Sequence, residues 1–501
     1  MLPSASIDNQ AETAEDKAFK ATGPGIELPG GAFFAGRWHP ADTDQAVHNP
    51  EDGAVLGHVS RSTPGDASHA VSHLRSGLGR AWPLRSRREA LEQAAVLLRE
   101  RSPGFATLIA SESSKTIREA EREVLRCTET LRLSAAAAVE LAGETLGFED
   151  SLAAGHKVGW YSRKPVGVVA AITPFNDPLN LVAHKLGPAL IGGNGVVLKP
   201  SGRTPLTALA FVQLLLDAGV PPWRIAVLAG GPGVAEALVA DPGVNLVSFT
   251  GGPRTAERIA ATVGARKVVS ELGGNNATIV CADADLDQAV PAIVSGAFGV
   301  AGQNCLSVQR VYVDESLYPD LVERVVARTK GLRTGPKLDR STDVGPLITE
   351  AEAARIAEWV EEARKSGARV RAGGKQQAAF YTPTVLTDVP ANARVLVEEV
   401  FGPVISILPF QNLDEAVAAA NSTEYGLQAG IFTRSVDLAM EVADRLDVGA
   451  VVINETSDVR IDSMPFGGFK KSGVGREGVR YAVLEMTEPK STIINLPERG
   501  A

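Results

Sequence analysis

Between Val166 and Gly274, short apolar runs rich in β-branched residues alternate with segments of helical pattern. VGVVAAI (Val166–Ile172) predicts a buried strand, and PLNLVAHKLGPALIGG a helix that stops at paired glycines. GVVLKP reads as a second strand, ended by Pro200. TPLTALAFVQLLLDAG is then a helix with Thr204 as N-cap, Pro205 as its first residue and Gly219 past its end. IAVLAG, VNLVSFTGG and KVVSEL predict three more strands, with GVAEALVA and TAERIAATV between them. Five strands joined by helices imply a parallel, doubly wound α/β sheet. Ligands of such sheets lie at the carboxyl ends of the strands.

Upstream, Trp82 to Gly143 keeps a helical pattern, expected to cover the sheet without evident chemistry. Downstream, Asn276–Val448 resumes the alternation and predicts a second α/β domain. NATIVCA, QRVYVD and PVISILPF are its strands; YPDLVERVVARTKGL, TEAEAARIAEWVEEARKSG and LDEAVAAAN are helices. KVGWYSRKPVG and TEPKSTIINLP alternate polar with apolar residues and carry no helix cap. Lone edge strands seek partners, so both are expected to pair subunits into a homodimer or homotetramer. The expected divisions are 1–25 as a mobile polar extension, 26–141 with 163–273 as one domain, and 274–467 as the second. Residues 142–162 and 480–501 are the oligomerisation strands.

Composition narrows the class. A length of 501 residues with 44% hydrophobic and 22% charged content is that of a multi-domain globular protein. A formal charge of -9 without a basic stripe argues against nucleic acid as a partner. No charge-free apolar run reaches the roughly 18 residues of a membrane span. The first 25 residues lack a basic start and an apolar stretch, so they do not read as a secretory signal. Three cysteines make no disulfide framework, and a reducing, cytoplasmic setting is expected. No metal cluster is expected.

One cysteine stands apart. Cys127 and Cys281 fall inside a helix and a strand, but Cys305 sits in GVAGQNCLSV at a junction, after Gly302. There a thiol at a helix start would feel the helix dipole, and its own N–H could hold an oxyanion; a buried structural thiol is the plainer reading. All seven histidines lie upstream, the nearest being His184, so a Cys/His hydrolase has no local signal. Glu271, ending a predicted strand in VVSELGGNN, is the better base, though a solvated loop glutamate fits it too. Asn176, in TPFND after the first strand, offers an amide donor or a plain Asx turn. Lys199 ends the second strand, and FTGGPRTA makes a glycine-rich turn into a helix, suited to a pyrophosphate.

Taken in order, TPFN, VLKPS, FTGG, ELGGNN, GQNC, EEVFGPV and MPFGGFKKSGVGREG resemble the NAD(P)-dependent aldehyde dehydrogenase superfamily. The likeness runs from GRW (Gly36–Trp38) to EMTEPKSTI, nearly the whole chain. It implies that family's fold: a Rossmann-like dinucleotide-binding domain, a catalytic α/β domain and a small β oligomerisation element. By the same likeness Cys305 is the nucleophile, Asn176 and the Cys305 N–H hold the oxyanion, and Glu271 activates the water that hydrolyses a thioester. Members that pass the acyl group to coenzyme A lack the glutamate, so Glu271 favours hydrolysis to the acid.

For the cofactor, the likeness implies NAD, with NADP also open. Lys199 and Glu399 resemble the ribose-binding pair, with Phe401 beside the nicotinamide ribose. Thr173, Phe175, Ser201, Gly231, Phe249, Thr250, Gly251, Leu272 and Gly273 complete the implied cofactor contacts. Strictly NAD-preferring members often carry a glutamate where this chain has Gly202, next to Arg203. Gly252 stands where serine is common and Ala256 where glycine is usual, two departures in the phosphate turn.

The pocket resembles that of members acting on small polar or anionic aldehydes, of phosphonoaldehyde or lactaldehyde type. Arg126 matches a phosphate-binding arginine of the non-phosphorylating glyceraldehyde-3-phosphate enzymes, although Asn304 replaces the arginine usual before the cysteine. Arg460 is either a replacement cation or a solvated loop arginine, and Phe175, Phe298 and Phe466 are expected along the tunnel, with core packing the alternative for each. Two other readings compete: a catalytically idle relative kept for binding or structure, and a thiol hydrolase that needs no nicotinamide. NAD-dependent turnover separates them.

Overall fold

The computed structural model describes residues 26, 28–29, 31–40, 44–148, 150–152 and 156–497; the extension expected at 1–25 and the last four residues of the segment expected at 480–501 lie outside these. The five strands read from the apolar pattern form one parallel sheet. Their spatial order is Ile225–Val227, Gly195–Lys199, Val168–Ile172, Leu246–Thr250, Lys267–Glu271. Sheet growth reverses between Val168–Ile172 and Leu246–Thr250, which sets the ligand crevice at those strand ends.

Alternate residues of these strands feed two separate cores, as a period of two requires. Val169, Ala171, Val196 and Leu198 pack with the helices Leu84–Glu100, Ser102–Glu112, Ile117–Ala136, Asn180–Gly192 and Pro205–Asp217. Val168, Ala170, Ile172 and Val197 pack with Pro64–Gly77, Pro232–Ala240 and Pro253–Val263.

The second sheet has seven strands, in the order Arg369–Ala372, Thr384–Thr387, Val404–Phe410, Val308–Asp314, Asn276–Val280, Gln428–Phe432, Ala450–Ile453. All its pairings are parallel except the first. The chain then returns: Gly473–Val474 pairs antiparallel with Lys267–Glu271, joining the C-terminal region to the first sheet. Lys157–Pro165 and Thr487–Asn495, the two segments expected as exposed strands, pair with each other along their whole length, and Glu144–Leu146 adds a third strand.

Candidate active site

Asn176 lies in the turn Thr173–Asp177 that leaves the strand Val168–Ile172. The turn is pinned from the long helical region. Lys115 Nζ bonds Glu123 Oε2 at 2.6 Å and also bonds Asp177, while Arg126 Nη1 approaches Asp177 Oδ2 at 3.6 Å. Glu123 Oε1 in turn accepts from the Leu179 and Asn180 amides at 2.8 and 2.9 Å, capping the helix Asn180–Gly192. The helical region, expected to be plain cover, therefore fixes the turn that carries Asn176.

Cys305 follows the helix Leu286–Phe298 and a short 3-10 turn, Gly299–Gly302. Val300, Ala301 and Gly302 all have positive φ (52°, 53° and 69°), a run that is costly for a β-branched residue. It is held from both sides. The Val300 amide donates to Glu119 Oε1 at 2.8 Å, and a Cβ at Gly302 would stand 2.1 Å from the Gly402 carbonyl oxygen. Glycine at 302 is thus required twice, by φ and by space. Gly274 and Asn276 grip the other side: Asn276 Nδ2 donates to the Cys305 carbonyl at 2.8 Å, and a Cβ at Gly274 would lie 2.5 Å from it.

The helix start expected at Cys305 is absent; the residue occupies a turn before the strand Val308–Asp314. No helix dipole lowers its thiol. Burial pushes the thiol up, Glu399, Glu271 and Asp177 add to this, and Arg460 opposes it.

Cys305, Asn176, Asn304, Arg126, Arg460 and Phe298 line one cavity of about 440 Å³. The two arginines expected to meet an anion are already engaged. Arg126 bonds both oxygens of Asp462, at 2.8 and 3.3 Å, and Arg460 bonds Glu477 at 3.1 Å. Arg122 and Arg328, which the sequence reading passed over, line the same cavity without a carboxylate partner among the described residues. Arg118, Arg122 and Arg126 recur every four residues along Ile117–Ala136, a signal visible in the sequence. Phe466, expected on the wall, lies behind it, buried under the Arg460 guanidinium at 4.0 Å and packed on Leu306 and Leu427.

Glu271 ends its strand with 2% exposure, and neither carboxylate oxygen has a hydrogen-bond partner. The motif MPFGGFKKSGVGREG explains how it is held. A Cβ at Gly467 would come 3.0 Å from Glu271 Oε1. Ser472 accepts from the Leu272 amide at 3.0 Å and donates its hydroxyl to the Gly273 carbonyl at 2.7 Å. Burial pushes the Glu271 carboxyl well above the usual range; Glu477 adds to this, while Arg460, Lys185 and Arg476 oppose it.

A second cavity, about 870 Å³, opens at the strand ends and is lined by Lys199, Gly202, Gly231 and Phe249. It fits a dinucleotide on several counts. The Lys199 ammonium has no hydrogen-bond or ion-pair partner among the described residues, and burial lowers its pKa. Gly231 and Gly252 start the helices Pro232–Ala240 and Pro253–Val263 with no side-chain cap, and the Gly233 and Arg254 amides have no partner among the described residues and are open to phosphate. The Thr173 and Thr250 hydroxyls are buried without partners. Glu399 Oε1 accepts from the Gly274 amide at 3.0 Å; a Cβ at Gly273 would collide with Oε2, and burial pushes the carboxyl up to about 7. Gly251 donates to the Glu271 carbonyl at 3.1 Å, and Ser201 Oγ accepts from the Arg203 amide at 3.2 Å.

Between the two cavities stands a partition. Phe175, Gln303 and Phe401 line a smaller space together with Arg203, the Phe175 and Phe401 rings meeting edge-on at 5.8 Å. Their chain neighbours Asn176 and Asn304 face the Cys305 cavity. Phe175 and Gln303 thus border the smaller space while the residues that follow them border the cavity of the thiol.

The aldehyde dehydrogenase family model matches residues 38–492. The chain is 45% identical to aspartate-semialdehyde dehydrogenase 1 of Pseudomonas canavaninivorans, over 90% of this chain and 96% of that protein. It is 43% identical to 3-sulfolactaldehyde dehydrogenase of Priestia aryabhattai, over 93% and 98%. Its fold matches the NADP-dependent glyceraldehyde-3-phosphate dehydrogenase of Bacillus halodurans, solved with NADP, at a TM-score of 0.92 and 36% identity over 94% and 100% of the two chains. The chain belongs to the aldehyde dehydrogenase family.

Proposed function

We propose that this chain oxidises a small polar or anionic aldehyde to its carboxylic acid with NAD or NADP. The carrying observation is that Cys305 and Asn176 line one cavity beside the nucleotide-type cleft, with the unpartnered Glu271 carboxyl close enough to act on the thiol. In the cleft, Lys199 and Glu399 would hold ribose hydroxyls, and the free helix starts at Gly231 and Gly252 the phosphates. Arg203, whose guanidinium has no partner among the described residues, lines the same cleft and suits a 2′-phosphate as well as a bare ribose.

The Cys305 thiolate adds to the carbonyl carbon, splitting one hard step into two. The Asn176 amide and the Cys305 N–H stabilise the oxyanion, each worth about 3 kcal/mol. The bound dinucleotide supplies the hydride acceptor. Cys305 then carries a thioester, and Glu271 takes a proton from water, whose oxygen displaces the sulfur to release the acid.

The anionic reading rests on the basic lining of the cavity, including Arg122 and Arg328 at residues exposed to solvent. The relatives named for sulfolactaldehyde, aspartate semialdehyde and glyceraldehyde 3-phosphate point the same way, since each of those aldehydes carries an acid group. Arg126, Arg460 and Asn304 shape this lining rather than bind freely, because each is already engaged, and Phe466 packs behind it. The three free thiols suit a reducing cytoplasm. Exposed Val158, Trp160, Ile493 and Ile494 on the three-stranded sheet support a homodimer or homotetramer. No described helix is long and apolar enough to cross a membrane.

The test is reduced-nicotinamide absorbance on mixing protein, NAD or NADP, and propanal or lactaldehyde. Growth of the signal is expected. Silence across an aldehyde panel from folded protein would restore the idle relative, and nucleotide-indifferent esterase activity alone would restore the hydrolase.

A further inference from the structure

Five carboxylates line the Cys305 cavity, and four of them are satisfied. Glu123 and Asp177 bind Lys115, Asp343 binds Arg118, and Glu119 accepts from Thr116 and the Val300 amide. Asp458 is the exception. Its Oδ1 accepts from Asn304 Nδ2 at 2.5 Å, while Oδ2 has no hydrogen-bond or ion-pair partner among the described residues.

The place of this oxygen is informative. The Asn304 amide that holds Asp458 presents its own oxygen to the Cys305 thiol at 3.8 Å and accepts from the Leu306 amide at 3.1 Å. Asp458 therefore stands one side-chain amide from the sulfur. Asp458 and Cys305 line the same cavity, on the side toward which a substituent on the carbon next to the carbonyl of a sulfur-bonded aldehyde would extend under the assignment that follows. We infer that Asp458 is a specificity residue, accepting a hydrogen bond from a hydroxyl on that neighbouring carbon, so that the preferred substrates are 2-hydroxyaldehydes. This assignment rests on aldehyde oxidation at Cys305, as proposed above.

Charge favours a hydroxyl over an ammonium. Six basic side chains line the cavity against five carboxylates, and Arg126 acts on Asp458 electrostatically. A neutral donor also sheds its water at lower cost than a cation. Burial, with Asp177, Glu119 and Glu455 nearby, pushes the Asp458 carboxyl up to about 7 against the pull of Arg126, as expected of a carboxylate short of donors.

Lactaldehyde and propanal differ by this one hydroxyl. Wild-type kcat/KM is expected to favour lactaldehyde by about tenfold to a hundredfold, the range of a hydrogen bond to a charged group. In Asp458→Ala that ratio collapses toward one, whatever the absolute loss from disturbing Asn304. A readout independent of the variant's folding is the wild type with the separate enantiomers of lactaldehyde, where a fixed acceptor on one side prefers one of them. Equal wild-type kcat/KM for propanal and both enantiomers, or an unchanged ratio in folded Asp458→Ala, overturns the assignment while leaving aldehyde oxidation intact. Absence of wild-type turnover with any of the three overturns the proposed function and this assignment together.

Discussion

A buried carboxyl with two unpartnered oxygens, as at Glu271, is costly to ionise. Raised above its ordinary range, it holds its proton at low pH and becomes a base only as pH climbs through its raised value. The role proposed for it therefore gives steady-state turnover that rises with pH, beginning above the ordinary carboxylate range. The Cys305 thiol is raised as well, so the first turnover also quickens with pH. Glu271→Gln separates the two: the pH-dependent first burst of reduced nicotinamide should persist, while steady turnover falls about a hundredfold or more. A variant with unchanged steady rate would remove the glutamate from hydrolysis. Stopped-flow absorbance across a pH series measures both. At this scale Cys305, Asn176 and Glu271 are legible in the sequence by their positions at element ends, and the roles proposed for them come from the family resemblance. Asp458 and Lys115 are not legible in this way, because nothing local distinguishes a carboxylate without a partner from a solvated one, or a buried lysine from a surface charge.

Helix caps show where local reading stops. Thr204 occupies the N-cap position of Pro205–Asp217 as the sequence suggested, yet its side chain makes no cap bond. Glu112 does so instead, fully buried, accepting from the Leu206 and Thr207 amides at 2.8 and 2.7 Å across 94 and 95 residues of chain. Glu123 serves Asn180–Gly192 in the same way. Both carboxylates come from the upstream helical region, so propensity arguments within a helix could not find them. Glu112→Ala leaves two buried N–H groups unpaired and should cost about 2 kcal/mol, seen as a melting temperature lower by several degrees. An unchanged melting temperature would mean that water or Thr204 takes over the cap.

For the whole molecule, the alternation of strands and helices revealed the first sheet and the existence of a second. Some pieces left no pattern: Gly473–Val474 is two residues long, yet it ties the C-terminal motif to the strand bearing Glu271. The motif's glycines, at 467 and 473, are intelligible only once that return is seen. The three-stranded sheet carries the prediction on assembly. Val158 and Ile494 are cross-strand partners, 45% and 43% exposed, and Trp160 shares their face. Light scattering should give a mass two or four times that of the chain, and Ile494→Glu should shift it toward smaller species. A monomeric wild type would contradict pairing through this sheet.

The covalent role of Cys305 is tested most directly by mass spectrometry of Glu271→Gln after incubation with lactaldehyde and NAD or NADP. A lactyl group held as a thioester on the peptide containing Cys305, dependent on the nucleotide and lost in Cys305→Ala, is the expected result. Reduced nicotinamide formed with no acyl group on Cys305, or with one on Cys127 or Cys281 instead, would contradict it.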